Sequence, residues 1–216
     1  MVVVPVVVAG AAVLLSGCAE RASAEPREPP RVEARDVAIA ASRADGGAVR
    51  IEAESAVLSP DFPAEISGTF ENAVAAVETP APADGGAADA QGAAEPLAIR
   101  ARRMRYDSRA DRASFSGGVE LIMGALALTC ESLEVVYRRA DGVADFTAAG
   151  SVRIRRTDLL AAAGRAEYRG ADRVLVLTES PRVEGSLGTI EGSRIVLALG
   201  EDTVTVEEVR GRLRIR

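Results

Sequence analysis

The amino-acid sequence lacks the residue types on which most enzyme and metal sites depend. None of its 216 residues is His or Trp, all 26 basic residues are Arg, and only two residues are Cys. Without His and Lys, the chain has no Ser-His-Asp or Cys-His catalysis, no imidazole metal ligand, no Schiff base and no phosphate-binding P-loop. The composition predicts a binding or scaffolding protein that is not an enzyme and holds neither a metal ion nor a cofactor.

Two further classes are disfavoured by charge and by the placement of acids. A net charge of −6 with only 3% aromatic residues is unsuited to nucleic acid, which needs basic surface and stacking side chains. Glycoside hydrolysis needs a pair of carboxylates set apart from other groups. Here acids such as Glu120 and Glu134 fall on alternating, outward positions of their segments.

The first segment is typical of an export signal. Residues 1–17 contain no charged side chain and end in the sequence Leu-Ser-Gly before Cys18. The apolar run is shorter than the roughly 20 residues of a spanning helix, so it predicts a signal peptide. The Leu-Ser-Gly-Cys ending resembles the lipobox of bacterial lipoproteins, which implies cleavage before Cys18 and lipid attachment to it. No Arg or Lys lies near Met1, and an uncleaved anchor or an exported chain without lipid stay open.

Composition divides the rest of the chain. Residues 18–31 are rich in Ala, Glu, Arg and Pro and predict a flexible tether. Residues 79–96 hold nothing larger than Gln or Glu and predict a low-complexity insertion loop. The two remaining segments, 32–78 and 97–216, are expected to carry the folded repeats.

The apolar residues alternate with a period of two. The run Val152-Arg153-Ile154-Arg155 alternates apolar and charged side chains, and two later segments do the same. Such alternation predicts strands with one buried face and one face in water.

An internal repeat is the strongest signal in the chain. The pattern apolar, x, small, x, x, apolar, x, apolar begins at residues 51, 99, 128, 161 and 190. Without the 79–96 insertion, the period is about 30 residues, which indicates stacked units. Turn residues follow each copy and a second strand follows each turn. We therefore predict an all-β fold, a solenoid-like stack of strand–turn–strand repeats.

Each copy breaks the two-residue alternation in its middle. The extra residue predicts a β-bulge or bend that keeps the apolar face inward. Cys130 occupies the small position of the third copy, which predicts a small buried side chain and not a nucleophile.

The repeat and the closing stretch resemble a known family. The second copy reads I-x-A-x-x-M-x-Y from Ile99, followed by F-x-G-x-V-x-L from Phe115, and the stretch 174–215 matches closing repeats. Both resemble the OstA-like proteins of lipopolysaccharide transport, the LptA and LptC proteins. The resemblance implies an open β-jellyroll whose apolar interior holds acyl chains. It also implies protomers that join end to end across the periplasm.

The candidate binding residues form two groups. The expected lining of an apolar trough is Ile99, Met104, Leu128, Leu133, Val135, Ile190, Ile195 and Leu197. The expected rim toward an anionic lipid is Arg100, Arg102, Arg103, Arg105, Arg153, Arg155 and Arg156. The first group is equally compatible with plain core packing, and the second with a solvated strand face.

Two functions follow as alternatives. The first is a periplasmic lipid-binding component of lipopolysaccharide export, attached to the inner or the outer membrane through Cys18. It would stack edge to edge with partner jellyrolls or with copies of itself. The second is a lipid-anchored β-solenoid scaffold that holds a partner without binding lipid.

Overall fold

In the structure, a computed structural model, the described residues form β-strands and the turns between them. The structure describes residues 32–42, 48–59, 67–78, 97–138, 143–157, 159–185, 188–199 and 203–207. The segments 1–17, 18–31 and 79–96, and with them Cys18, lie outside the described residues. The strands are β1 (Val32–Ser42), β2 (Ala48–Leu58), β3 (Ser67–Glu78), β4 (Leu97–Asp107), β5 (Arg112–Met123), β6 (Leu126–Arg138), β7 (Val143–Arg156), β8 (Leu159–Arg169), β9 (Val174–Thr178), β10 (Arg182–Gly185), β11 (Gly188–Glu191), β12 (Arg194–Ala198) and β13 (Thr203–Glu207).

The described strands form one antiparallel sheet in which neighbours in sequence are neighbours in space. Strands β1 to β9 pair in order, and β12 and β13 follow β9. Strand β8 pairs with β9 along one half and with β10 along the other. Strands β9 and β10 therefore act as one strand interrupted at residues 179–181. The predicted all-β stack of strand–turn–strand units is confirmed.

A line of bends crosses the sheet through the middle of successive strands. The pairing of β4 with β5 shifts between Arg100 and Arg103, and equivalent shifts recur in the next three pairs. Alternate strands pass the line with a residue in the left-handed region of φ, and these residues are Asp36, Asn72, Gly117, Gly118, Gly150, Ser151, Glu179 and Ser180. The predicted mid-strand bulges are therefore present from β4 to β8, whereas the pairs among β1, β2 and β3 cross the same line without a register shift. We call this line the corner.

Side chains of the intervening strands cover the corner. Glu131 of β6 accepts a hydrogen bond from the Ser151 hydroxyl at 3.0 Å and lies over Gly150. Glu54 of β2 accepts one from the Asn72 side chain at 2.6 Å. A β-carbon built on Gly150, which has a φ of +79°, would lie 2.8 Å from the Glu131 Cβ. Glycine is required there by both conformation and space.

The corner divides the sheet into two wings that enclose the core. Wing 1 ends at the turn between β5 and β6, and wing 2 ends at the turn between β4 and β5. Because each bulge restores the parity of its strand, the inner faces of both wings are apolar and face each other. They form one continuous buried cluster that extends from Ile39 to Leu199.

The repeat positions explain this core. The five copies fall on β2, β4, β6, β8 and the β11–β12 pair, so the motif occupies every second strand. The small residue of each copy stands just before the corner, and in the first four copies it is buried: Ala53, Ala101, Cys130 and Ala163. Small side chains at this place allow the two wings to converge.

Candidate functional site: an apolar interior and its seam

The predicted trough residues meet inside the fold. Seven of the eight lie in the buried cluster, each at most 6% exposed, and they come from β4, β6 and β12. The eighth, Ile190 of β11, is half-buried and packs against the same cluster. The structure therefore brings the whole set together on the inner faces of the wings.

The interior is apolar throughout. Within the described ranges, the buried residues include no charged or strongly polar side chain, and the polar groups near them include the Cys130 thiol and the buried Ser59 hydroxyl. The rings of Phe146 and Tyr168 stack at a centroid separation of 4.9 Å near the tip of wing 2. Such a surface suits hydrocarbon and excludes charged ligands, because an unpaired charge is costly to desolvate.

The tips of the two wings meet along a line that we call the seam. Met123, Ala125 and Leu126 come from the β5–β6 turn region of wing 1. Tyr168 and Arg173 come from the β8–β9 end of wing 2. Together with Arg156 and Leu199, these residues line one small cavity of about 40 Å³. Residues from opposite strand ends can share a cavity only because the wings fold face to face.

Side-chain contact closes the seam. The Arg156 guanidinium at the end of β7 donates a hydrogen bond from Nη2 to the carbonyl oxygen of Leu199 at 2.9 Å. The Leu199 amide in turn donates to the carbonyl oxygen of Arg173 at 2.9 Å. The corner, by contrast, is crossed by the continuous backbone of every long strand. The seam is therefore the boundary of the core that can open without breaking the chain's own sheet.

The predicted rim residues divide into two sets. Six of the seven side chains are exposed on the outer face or at the corner: Arg100, Arg102, Arg103, Arg105, Arg153 and Arg155. Arg156 alone of the seven lies at the seam, where it is half-buried. Only a residue at the very end of a strand can reach a mouth formed by strand ends.

Sequence reasoning missed the other seam residues. Tyr168 was recognised as a repeat position, but nothing in the pattern placed Arg173 and Leu199 beside the β5–β6 turn. Arg173 sits in a turn, with a left-handed φ of 52°. The available signal was its position in the turn between β8 and β9, at a strand end opposite that of Arg156.

Cys130 is a core residue beside the corner. Its residue is 6% exposed, and its Sγ donates to the carbonyl oxygen of Ser132 at 3.2 Å. Burial raises the pKa of the Cys130 thiol to about 11, so the thiolate is suppressed near neutral pH. This agrees with the prediction of a small buried side chain.

The part of the chain that the structure describes lacks two other classes of site. No group of three or more acidic or thiol side chains is arranged to hold a metal ion there. Nor does any helix in those ranges have the length and hydropathy needed to cross a membrane.

Comparison with known proteins gives a match to a family model and a similar solved structure. Residues 98–203 match the family described as "LptA/(LptD N-terminal domain) LPS transport protein". Among solved structures, the chain resembles LptH from Pseudomonas aeruginosa, described as the LptA homologous periplasmic component of the lipopolysaccharide transport device. The identity is 20%, the match covers 56% of this chain and 93% of LptH, and the TM-score is 0.49. No curated protein matches the chain in sequence.

Proposed function

Because residues 98–203 match the family of LptA and LptD N-terminal lipopolysaccharide transport proteins, we propose that this chain carries lipopolysaccharide through the periplasm. In this proposal the acyl chains lie between the two wings and are shielded from water. One observation carries the proposal: the apolar cluster is continuous, and along the seam it is closed by side-chain contacts and not by strand pairing. Transfer of hydrocarbon into such an interior is favoured by about 25 cal/mol per Å² of apolar surface removed from water.

Entry through the seam is the physical core of the proposal. In the closed arrangement the inner faces contact each other, so acyl chains require the wings to separate. Separation at the seam costs the contact between Arg156 and Leu199 and the packing around the small cavity. Separation across a strand pair would cost several ladder hydrogen bonds at once. The acyl chains then replace the apolar contacts that the wings lose.

The seam also offers a place for the anionic part of the lipid. Arg156 and Arg173 lie at the mouth, and the floor below them is apolar, with Leu126 and Tyr168 among its residues. Guanidinium groups bind phosphate through paired hydrogen bonds, so Arg156 can turn from the Leu199 carbonyl oxygen to a lipid phosphate, with Arg173 beside it. For the six outward rim arginines, a role toward this lipid stays a prediction.

The open edges of the sheet support assembly with other jellyrolls. In the described ranges, β1 pairs only with β2, and β13 pairs only with β12. An unpaired strand edge can accept a strand from another chain. Attachment to a membrane through lipidated Cys18 belongs to the same proposal and depends on the N-terminal sequence alone.

One observation favours a second function, a scaffold that holds a partner without lipid. Many inner positions are small, and the buried alanines include Ala53, Ala56, Ala73, Ala75, Ala101, Ala148, Ala161, Ala163 and Ala166. Small side chains bring the wings close together and leave little space between them. A protein of this kind would remain closed and would use its edges only.

Crosslinking the two wings at the seam tests the proposed lipid-carrying function directly. In a Cys18→Ser chain, Ala125→Cys and Ala171→Cys would place one exposed thiol on each side of the seam, Ala171 lying in the same turn as Arg173. A short cleavable bismaleimide would join the wings, and Cys130 would react little because its pKa is raised to about 11. The protein would be produced in a lipopolysaccharide-containing host and analysed by native mass spectrometry with lipid extraction.

The carrier predicts bound lipid A glycolipid in the open protein and no uptake of added lipopolysaccharide after locking. Uptake should return when the linker is cleaved. Leu133→Asp, inside the cluster, should abolish binding, whereas the matched outer-face variant Val57→Asp should keep it. A folded protein that binds no lipopolysaccharide with its seam free refutes the carrier. If that protein also forms concentration-dependent oligomers, the scaffold is the better account.

A further inference from the structure

The outer face of wing 1 carries exposed arginines and exposed apolar side chains that carriage inside the fold does not explain. On wing 2, Arg103 pairs with Glu71 at 2.9 Å and Arg112 with Glu134 at 3.0 Å, whereas the exposed Arg105 forms no ion pair with a described residue. On wing 1, Arg153 has no ion-pair partner among the described residues, and neither has Arg155.

The cross-strand register explains why these two arginines have no ion-pair partner in the described strands. Arg153 stands between Thr129 of β6 and Ala162 of β8. Arg155 stands between Ala127 of β6 and Leu160 of β8 in the same manner. No carboxylate lies directly opposite either of them. The nearest acid beyond Leu160, Glu184 on β10, is already paired with Arg182 at 2.6 Å.

Exposed apolar side chains occupy the same face. In the described chain, three large apolar residues are exposed, and two of them, Ile122 at 56% and Leu160 at 53%, lie here. The register places Ile122, Ala127, Arg155 and Leu160 in one row across β5 to β8. Since neighbouring strands lie about 4.8 Å apart, the row spans about 14 Å. We call these residues, together with Ala98, Thr129, Arg153 and Ala162, the outer patch.

We propose that the outer patch docks against the surface of an anionic lipid bilayer. Exposed apolar side chains insert at the boundary between headgroups and acyl chains, while guanidinium groups pair with lipid phosphates. The patch combines both on one flat face of a rigid sheet. The unpaired positive charges give the complementarity, because a bilayer supplies many phosphates in one plane. This contact is additional to the proposed carriage and does not depend on it.

The absence of tryptophan from the chain allows a direct test. Leu160→Trp places a single indole in the patch, and Val57→Trp places one at the exposed apolar site of wing 2, which is 39% exposed. Indole fluorescence would be recorded with vesicles of equal parts phosphatidylglycerol and phosphatidylcholine, and with phosphatidylcholine alone. Both reporters are full-length chains, so whatever residues 1–31 contribute is the same in each. Circular dichroism and thermal unfolding would verify that every variant is folded.

The expected result is a shift of Leu160→Trp emission to shorter wavelength with the anionic vesicles, and a much smaller shift for Val57→Trp. Adding Arg153→Glu and Arg155→Glu to the first reporter should remove most of the shift. The charge-matched control, Arg35→Glu with Arg169→Glu on wing 2, should preserve it.

Several outcomes overturn the proposal. No shift at Leu160→Trp excludes insertion of the patch. Equal shifts at the two reporters mean adsorption without a defined face. A shift that persists after charge reversal of both patch arginines, or that is equally large with phosphatidylcholine vesicles, would contradict recognition of anionic lipid by the patch. A shift that appears at high protein concentration without vesicles assigns the patch to an interface between copies of this chain.

Discussion

The corner can be tested by placing a methyl group at two of its glycines. Gly118 on β5 and Gly150 on β7 have nearly the same left-handed φ, 77° and 79°. Their surroundings differ. A β-carbon at Gly118 meets nothing within 4 Å, whereas one at Gly150 meets the Glu131 Cβ at 2.8 Å and its Cδ at 2.8 Å. The stability lost in Gly118→Ala therefore reports the cost of the left-handed conformation alone. The stability lost in Gly150→Ala reports that cost plus the cost of the contact with Glu131.

The two costs can be worked out separately. A non-glycine residue with left-handed φ costs roughly 1–2 kcal/mol, so Gly118→Ala should lower the free energy of unfolding by about 1 kcal/mol. The Glu131 Cβ is fixed to the β6 backbone and cannot rotate away from a new methyl group. Relieving the overlap requires a shift of β6 against β7, and overpacking of this kind costs about 1–3 kcal/mol more. Gly150→Ala should therefore lose about 2–4 kcal/mol.

Urea unfolding followed by far-ultraviolet circular dichroism measures both values, because the chain has no tryptophan to report on unfolding. Glu131→Ala in the Gly150→Ala background should recover part of the loss, since it removes the Cδ contact and leaves the Cβ contact. Equal losses for Gly118→Ala and Gly150→Ala would refute the close approach of β6 and β7 at the corner. A full rescue by Glu131→Ala would place the clash at the end of the side chain instead.

Three further changes test the interior and the surface. Leu133→Ala, at a site that is 2% exposed, should cost about 2–5 kcal/mol in the free energy of unfolding, measured in urea. Arg112→Ala should change it by less than about 0.5 kcal/mol, because the ion pair with Glu134 is about half exposed and screened by solvent. Cys130 should make stability fall as pH rises from about 9 toward 11, because the unfolded thiol ionises first while the folded thiol, with its pKa of about 11, stays neutral. Between pH 8 and pH 10.5, the free energy of unfolding of the wild type should therefore fall by on the order of 2 kcal/mol more than that of Cys130→Ala.

Much of the fold follows from local pattern. The parity break in each repeat predicts the mid-strand bulge, because a strand with one buried face must correct its phase after an extra residue. The small position before the break, occupied by Ala101 and Cys130, predicts close approach of the wings. These inferences need only the chain's own neighbours in sequence.

The candidate site was predictable only in part, because the seam joins strand ends that are far apart in sequence. Its hydrogen bond links Arg156 to Leu199, which are 43 residues apart. Because Arg153 and Arg155 alternate along β7 with buried Val152 and Ile154, the sequence pattern placed both arginines on the outer face. It did not indicate that Arg156, at the end of its strand, reaches the wing facing it. A contact between two wing tips depends on the angle at the corner, which no local pattern specifies.

The seam should therefore open more readily than the corner. Strand β6 allows a comparison, because it reaches both places and can carry one cysteine at each. Leu126 begins β6 at the seam and is 3% exposed, while Cys130 lies on β6 beside the corner and is 6% exposed. In a Cys18→Ser chain, Leu126→Cys adds a seam thiol, and labelling followed by peptide mass analysis reads both sites in one sample.

Arg156→Ala removes the hydrogen bond to Leu199 and leaves the ladders of β6 intact, so labelling at position 126 should accelerate while labelling at Cys130 stays unchanged. Each thiol is compared with itself, so its own pKa cancels from the ratio. Equal acceleration at both sites would mean that the whole fold opens, since global unfolding exposes seam and corner together. No acceleration at either site would mean that packing, and not Arg156, holds the wings shut. Only selective opening supplies what a carrier needs: an interior that admits hydrocarbon while its sheet remains folded.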